Sequence, residues 1–190
     1  MFNLRLVAAV GGALVAALAI ATIATGRVVD DGAPGADYTI GGGRFGPGCF
    51  EPAPDPPLCF ANPRDFSVDA HALGNGRARG VWFYGNNDTG FSLSGRVMCI
   101  TRQGNRSVVG GIVTDSSDPG SIGLGFDQYY IDNGPVGSSI RDSSSAAFLD
   151  PLDAPGWPPG FPRRCPSTPT SPAGYLPVHS GDVDVDSSEN

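Results

Sequence analysis

The sequence predicts an all-β protein: a small antiparallel β-sandwich or a partly open β-barrel with long irregular loops. Two observations carry this. Short segments rich in β-branched and aromatic residues recur from residue 65 onward, each bounded by Gly, Asn, Asp or Pro. No segment beyond the N-terminal stretch sustains a helical apolar period. Composition agrees, since 28 Gly and 18 Pro among 190 residues suit a loop-rich β domain and not a helical bundle.

Taken in order, the chain opens on a short, weakly positive start followed by an apolar run over 6–23. Small residues close that run, with Ala19-Ile20-Ala21 and Thr22-Ile23-Ala24 in cleavage-like spacing. Residues 1–25 therefore read as a secretory signal peptide. An uncleaved N-terminal anchor is the alternative, because the run also reaches the ~18 apolar residues of a minimal membrane span. Residues 26–64 are rich in Gly, Pro and Asp and read as a linker arm, with Gly41-Gly42-Gly43 as a flexible point. The β-domain is expected over 65–187, with a disordered tail at 188–190.

Within the domain, Phe66, Val68, Ala70 and Ala72 alternate with Asp65, Ser67, Asp69 and His71, the pattern of a strand with one polar face. A second strand holds Val81, Trp82, Phe83 and Tyr84. Residues 91–114 form the strongest β signal, a hairpin turning at Gly104-Asn105. A two-residue turn there sets the register: Val97 faces Ile112, Cys99 faces Gly110 and Thr101 faces Val108. Gly110 then leaves room beside Cys99 for a disulfide partner. Another strand is expected over 122–131, ending at Asp132-Asn133-Gly134. Residues 138–149 are ambiguous, and 151–177 are Pro-rich and irregular. A last strand, 178–185, sets Val183 and Val185 on one face and Asp182, Asp184 and Asp186 on the other.

All 12 basic residues are Arg, and the formal net charge is −7. With no basic cluster, the composition argues against nucleic-acid binding. Membrane contact is expected only through an uncleaved N-terminal segment. Four cysteines in an exported chain read as two disulfides, for which three pairings exist. Cys49 and Cys59 flank a Pro-rich loop and can close it locally, which leaves Cys99 for Cys165. No C-x2-C pair and only two histidines make zinc a poor fit.

Several spaced motifs together resemble a family of uncharacterised exported bacterial β-domain proteins. They are Gly95 to Cys99 (G-x-V-x-C), Gly104 to Arg106 (GNR), Val108 to Gly111 (V-x-G-G), Asp132 to Gly137 (D-N-G-x-x-G), Cys165-Pro166, and Ser180 to Val185 (S-G-[ND]-V-x-V). The resemblance spans about 65–186 and omits the Cys49–Cys59 loop. It implies a β fold and brings no catalytic residue.

No G-x-S-x-G elbow is present. His71 lies on the polar face of its strand two residues from Asp69, and neither His71 nor His179 has a triad setting in sequence. Glu occurs only at Glu51 and Glu189. Asp182, Asp184 and Asp186, about 6.5–7 Å apart along a strand, are candidates for a structural Ca2+. Trp82 and Tyr84 share a strand face and are candidates for a binding surface. Trp157 is expected to pack as a lid over an end of the sheet. No cofactor is implied. The function this points to is non-enzymatic: a cell-surface or extracellular binding or structural module, with a cell-wall or extracellular protein as partner. A secreted hydrolase using Asp/His chemistry is the alternative, as is a small protease inhibitor presenting the Cys49–Cys59 loop.

Overall fold

A computed structural model describes residues 37–51, 59–135 and 139–187. The signal or anchor at 1–25, most of the Cys49–Cys59 loop and the tail at 188–190 lie outside the described residues. Eleven strands are present: β1 (Asp37–Phe45), β2 (Gly48–Cys49), β3 (Cys59–Phe60), β4 (Arg64–Gly74), β5 (Arg77–Asn86), β6 (Phe91–Gln103), β7 (Arg106–Ser116), β8 (Gly125–Ile131), β9 (Ser143–Ser144), β10 (Phe148–Asp150) and β11 (Leu176–Ser187). No α-helix occurs among the described residues.

The strands pair antiparallel in the order β8-β7-β6-β5-β4-β1-β11-β9, and β9 pairs back onto β8. The result is a closed eight-stranded barrel. β10 is an added strand on the same edge of β8 that receives β9. β2 and β3 form a separate two-stranded ribbon.

One barrel strand lies where the sequence suggested a linker. β1 pairs with β11 on one side and β4 on the other and closes the ring between them. Its glycines are there for close approach. A Cβ at Gly41 would run into the Asp182 carbonyl oxygen, and one at Gly43 into that of Ser180. Glycine lets β1 press against β11, and the same composition hides the strand from pattern reading.

The β6–β7 hairpin turns as expected, with Cys99 opposite Gly110 and Thr101 opposite Val108. Val97, however, faces Gly111 and not Ile112. A bulge between Val97 and Cys99 inserts an extra residue and shifts the register by one. The bulge also switches faces. Leu93, Val97 and Ile100 join the main core inside the barrel, whereas Cys99 joins a second cluster with Val108, Tyr129 and Cys165. Bulges also interrupt β4–β5, β5–β6 and β1–β11, and they supply the bending a closed ring requires.

The barrel interior is solid. Trp82 stacks on Phe126 at 4.0 Å between ring centroids, and Tyr84, Phe45, Phe66 and Tyr130 fill the adjoining space. Trp82 and Tyr84 are only 2% and 5% exposed. They are core residues, so of the two places open to them, a binding surface and a small core, they take the second: the inward face of β5 carries the rings. One polar side chain, Gln128, sits among them. Its Oε1 accepts from Trp82 Nε1 (2.7 Å) and the Tyr130 hydroxyl (2.9 Å), and its Nε2 donates to Ser144 Oγ (2.8 Å) and the Ser145 carbonyl (3.1 Å). Each heavy polar atom of Gln128 is thus satisfied, as a buried amide requires.

Both disulfides form with the local pairing, Cys49–Cys59 and Cys99–Cys165. The second fastens the irregular 151–175 segment to the outer wall of the β6–β7 hairpin. Two disulfides fit an oxidising or extracellular environment.

Candidate functional site

With its interior filled, the barrel offers chemistry on its outer surface and at its seam. The seam lies between β8 and β11, where β9 bridges with only two residues. Beyond them, two aspartates stand in for a strand. The Asp142 carboxylate accepts from the backbone N–H of Asn133 and of Val183, both at 2.8 Å, and its carbonyl accepts from Val178 N–H at 2.8 Å. The Asp132 carboxylate accepts from Gly134 N–H (2.7 Å) and Val185 N–H (3.2 Å). Side-chain oxygens thereby satisfy β11 N–H groups that no neighbouring strand reaches.

Next to these links is an open cleft of about 380 Å3. Arg141 and Asp182 bring charge to it, His179 an imidazole, Ile140 and Val178 apolar surface, and Ser180 a hydroxyl. Arg141 Nη1 donates to His179 Nδ1 at 2.7 Å, so the imidazole accepts as a neutral ring and the guanidinium carries the positive charge of the pair. Asp182 is the anionic group of the lining. Burial pushes its carboxyl up to about 6, helped by a hydrogen bond with Asp142 and then by the negative charges of Asp142, Asp132 and Asp184. Ile140 is 64% exposed, an apolar side chain left beside the charges.

The other residues singled out in the sequence are dispersed. His71 is bonded to Asp69 (Nε2 to Oδ1, 2.7 Å) on the outer wall of β4, away from the residues lining the cleft. Asp184 accepts from the Tyr38 hydroxyl at 3.3 Å. Asp182, Asp184 and Asp186 do not converge, and among the described residues no group of three or more His, Cys, Asp or Glu side chains is arranged to hold a metal ion. The oxygen-rich Asp132-Asn133-Gly134 turn spends its carboxylate on backbone N–H groups. Trp157 stacks on Phe161 at 3.9 Å and packs near Gly125, the first residue of β8.

Asp132 and Asp142 were not recognisable as seam residues in the sequence. The only signal was a turn motif at Asp132, and Asp142 lies in a Ser-rich stretch without strand character. The chain matches no family model, no curated protein and no solved structure. The likeness to exported β-domains therefore stands on its motifs alone.

Proposed function

We propose that this protein is an exported, non-enzymatic binding or structural module, and that the seam cleft is its working surface. The two-residue bridge at β9 makes the seam, in this reading, the thinnest part of the closed ring. The single observation that carries the proposal is the filled interior. Gln128 and the rings around it occupy the space in which an eight-stranded barrel would otherwise hold a small ligand, so recognition falls to the outside. The cleft is lined by Arg141, His179 and Asp182, with the exposed Ile140 beside them. That combination suits a peptide-like group carrying both charges and a short apolar side chain, as a cell-wall or extracellular protein partner would present. Disulfides and the signal-like N-terminus support a location outside the cytoplasm.

The test is capture of partners from extracellular and cell-wall fractions by the full chain, beside a variant carrying Ile140→Asp and Arg141→Glu. A partner held by the wild type and lost by the variant supports the cleft. Equal retention by both places recognition elsewhere.

A further inference from the structure

The outer face of β8 carries Gly125, Asp127 and Tyr129 in alternation. Asp127 is 4% exposed, flanked by Gly110 of β7 on one side and Phe148 of β10 on the other. Its Oδ2 accepts from the Tyr129 hydroxyl at 3.0 Å. Its Oδ1 has no partner, and it is the sole buried side-chain polar atom among the described residues of which this is true. A carboxylate in that position is costly, whereas a carboxylic acid is much less so.

The lid over this group is the 151–164 segment. The Phe161 ring lies across both flanking glycines: a Cβ at Gly110 would be 3.0 Å from Phe161 Cε2, and one at Gly125 would be 2.6 Å from Phe161 Cε1. Trp157 stacks behind Phe161, and Leu152 closes the side near Gly125. The segment's backbone hydrogen bonds are internal, Ala154 to Pro151, Trp157 to Ala154, Phe161 to Pro158 and Arg163 to Gly160. It is held to the wall by ring packing, by the short β10 at its start and by Cys165 at its end.

The charges near Asp127 do little to neutralise it. On β8 the only titratable neighbour is Tyr129, and the β7 residue opposite is Gly110. On β10, Asp150 adds a like charge. Asp153, Arg163 and Arg164 of the covering segment are exposed to solvent. Tyr175 faces Tyr129, and Arg106 in turn acts on Tyr175. Burial pushes the Asp127 carboxyl up to about 7, with the Tyr129 hydrogen bond opposing and the Asp150 charge adding.

We propose that 151–164 is a pH-gated strap, seated on the barrel wall while Asp127 carries its proton and lifted on the Cys99–Cys165 tether when Asp127 ionises. Lifting hydrates the orphaned oxygen and uncovers the wall of β7 and β8 around Gly110, Gly125 and Tyr129. The barrel interior is untouched, because Asp127 and the strap lie outside it.

The two tryptophans report separately, Trp157 on the strap and Trp82 in the core. The full chain labelled with 5-fluorotryptophan is followed by 19F NMR from about pH 5 to about pH 9, a span well above ordinary aspartate titration. The Trp157 resonance is expected to move with a midpoint near neutrality while that of Trp82 stays fixed. Asp127→Asn should hold the seated spectrum throughout. Tyr129→Phe, which removes a bond to the carboxylate, should raise the midpoint, and Asp150→Asn should lower it. A Trp157 resonance constant across the range in the wild type overturns the proposal. So does a transition with one midpoint in wild type, Tyr129→Phe and Asp150→Asn, which decides the matter even if Asp127→Asn does not fold.

Discussion

Replacing Gln128 with Leu removes the one polar hub of the barrel while keeping side-chain volume close. Two buried donors lose the acceptor they share, the indole N–H of Trp82 and the hydroxyl of Tyr130, and the Tyr130 oxygen is then the acceptor left to the indole. The other side of the hub is less exposed to loss, because Ser144 Oγ and the Ser145 carbonyl retain a 3.3 Å hydrogen bond to each other. A stranded buried donor costs about 1–3 kcal/mol, and with the indole turned to the Tyr130 oxygen only the Tyr130 O–H is stranded, so the predicted destabilisation is about 1–3 kcal/mol. That is a large share of the roughly 5–15 kcal/mol by which domains are typically stable. Urea unfolding of wild type and variant measures it, with an unchanged m-value showing that the same surface is exposed. A loss below about 1 kcal/mol would refute the reasoning, since it would mean that the Tyr130 O–H reaches water or another acceptor.

Three further outcomes follow from the same structure. Removing Cys99–Cys165 should cost about 4 kcal/mol and removing Cys49–Cys59 about 3 kcal/mol, from loop closure over 66 and 10 residues respectively; urea midpoints of the two double-alanine variants should rank in that order. Gly41→Ala should destabilise by about 1–3 kcal/mol, because its Cβ forces β1 from β11; thermal melting followed by circular dichroism reads the loss. Stability should fall as pH rises. Asp127 and Asp182 titrate near 7 and 6 when folded but near 3.9 when unfolded, so between those values the native state holds more protons and acidification favours it. The Asp127 contribution is on the order of 4 kcal/mol, present below about pH 4 and lost through about pH 7; Asp182, open to solvent in the cleft, adds in the same direction. Urea unfolding at successive pH values checks the slope, and Asp127→Asn should remove most of it.

Alternation made β4, β6 and β11 legible, and runs of β-branched or aromatic residues did the same for β5, β7 and β8. β1 was not, since its close approach to β11 demands glycine at Gly41 and Gly43 and glycine carries no hydrophobic signal. Faces were harder to assign than strands. Trp82 and Tyr84 were correctly placed on one face of β5, but which face looked inward depends on closure of the ring through β1 and β11. Likewise the bulge at Val97–Cys99 could not be seen in a regular alternation, and it is what turns Cys99 outward toward Cys165. The seam belongs to the same class. Asp132 and Asp142 act on Val185 and Val183, over 40 residues away in the chain, and no local pattern links such partners. Asp127 and Gln128 did leave a trace, two polar residues inside the aromatic run FDQYYI; one faces the interior network, the other the strap.

Hydrogen exchange at the Trp82 indole N–H tests most directly whether the barrel is closed and solid, with recognition left to its outer surface. The indole donates to Gln128 at the packed centre. The account predicts exchange only through global unfolding, with the same free energy that urea denaturation returns. Exchange far faster than that, under conditions where the fold is intact, would show an interior open to solvent and contradict the account.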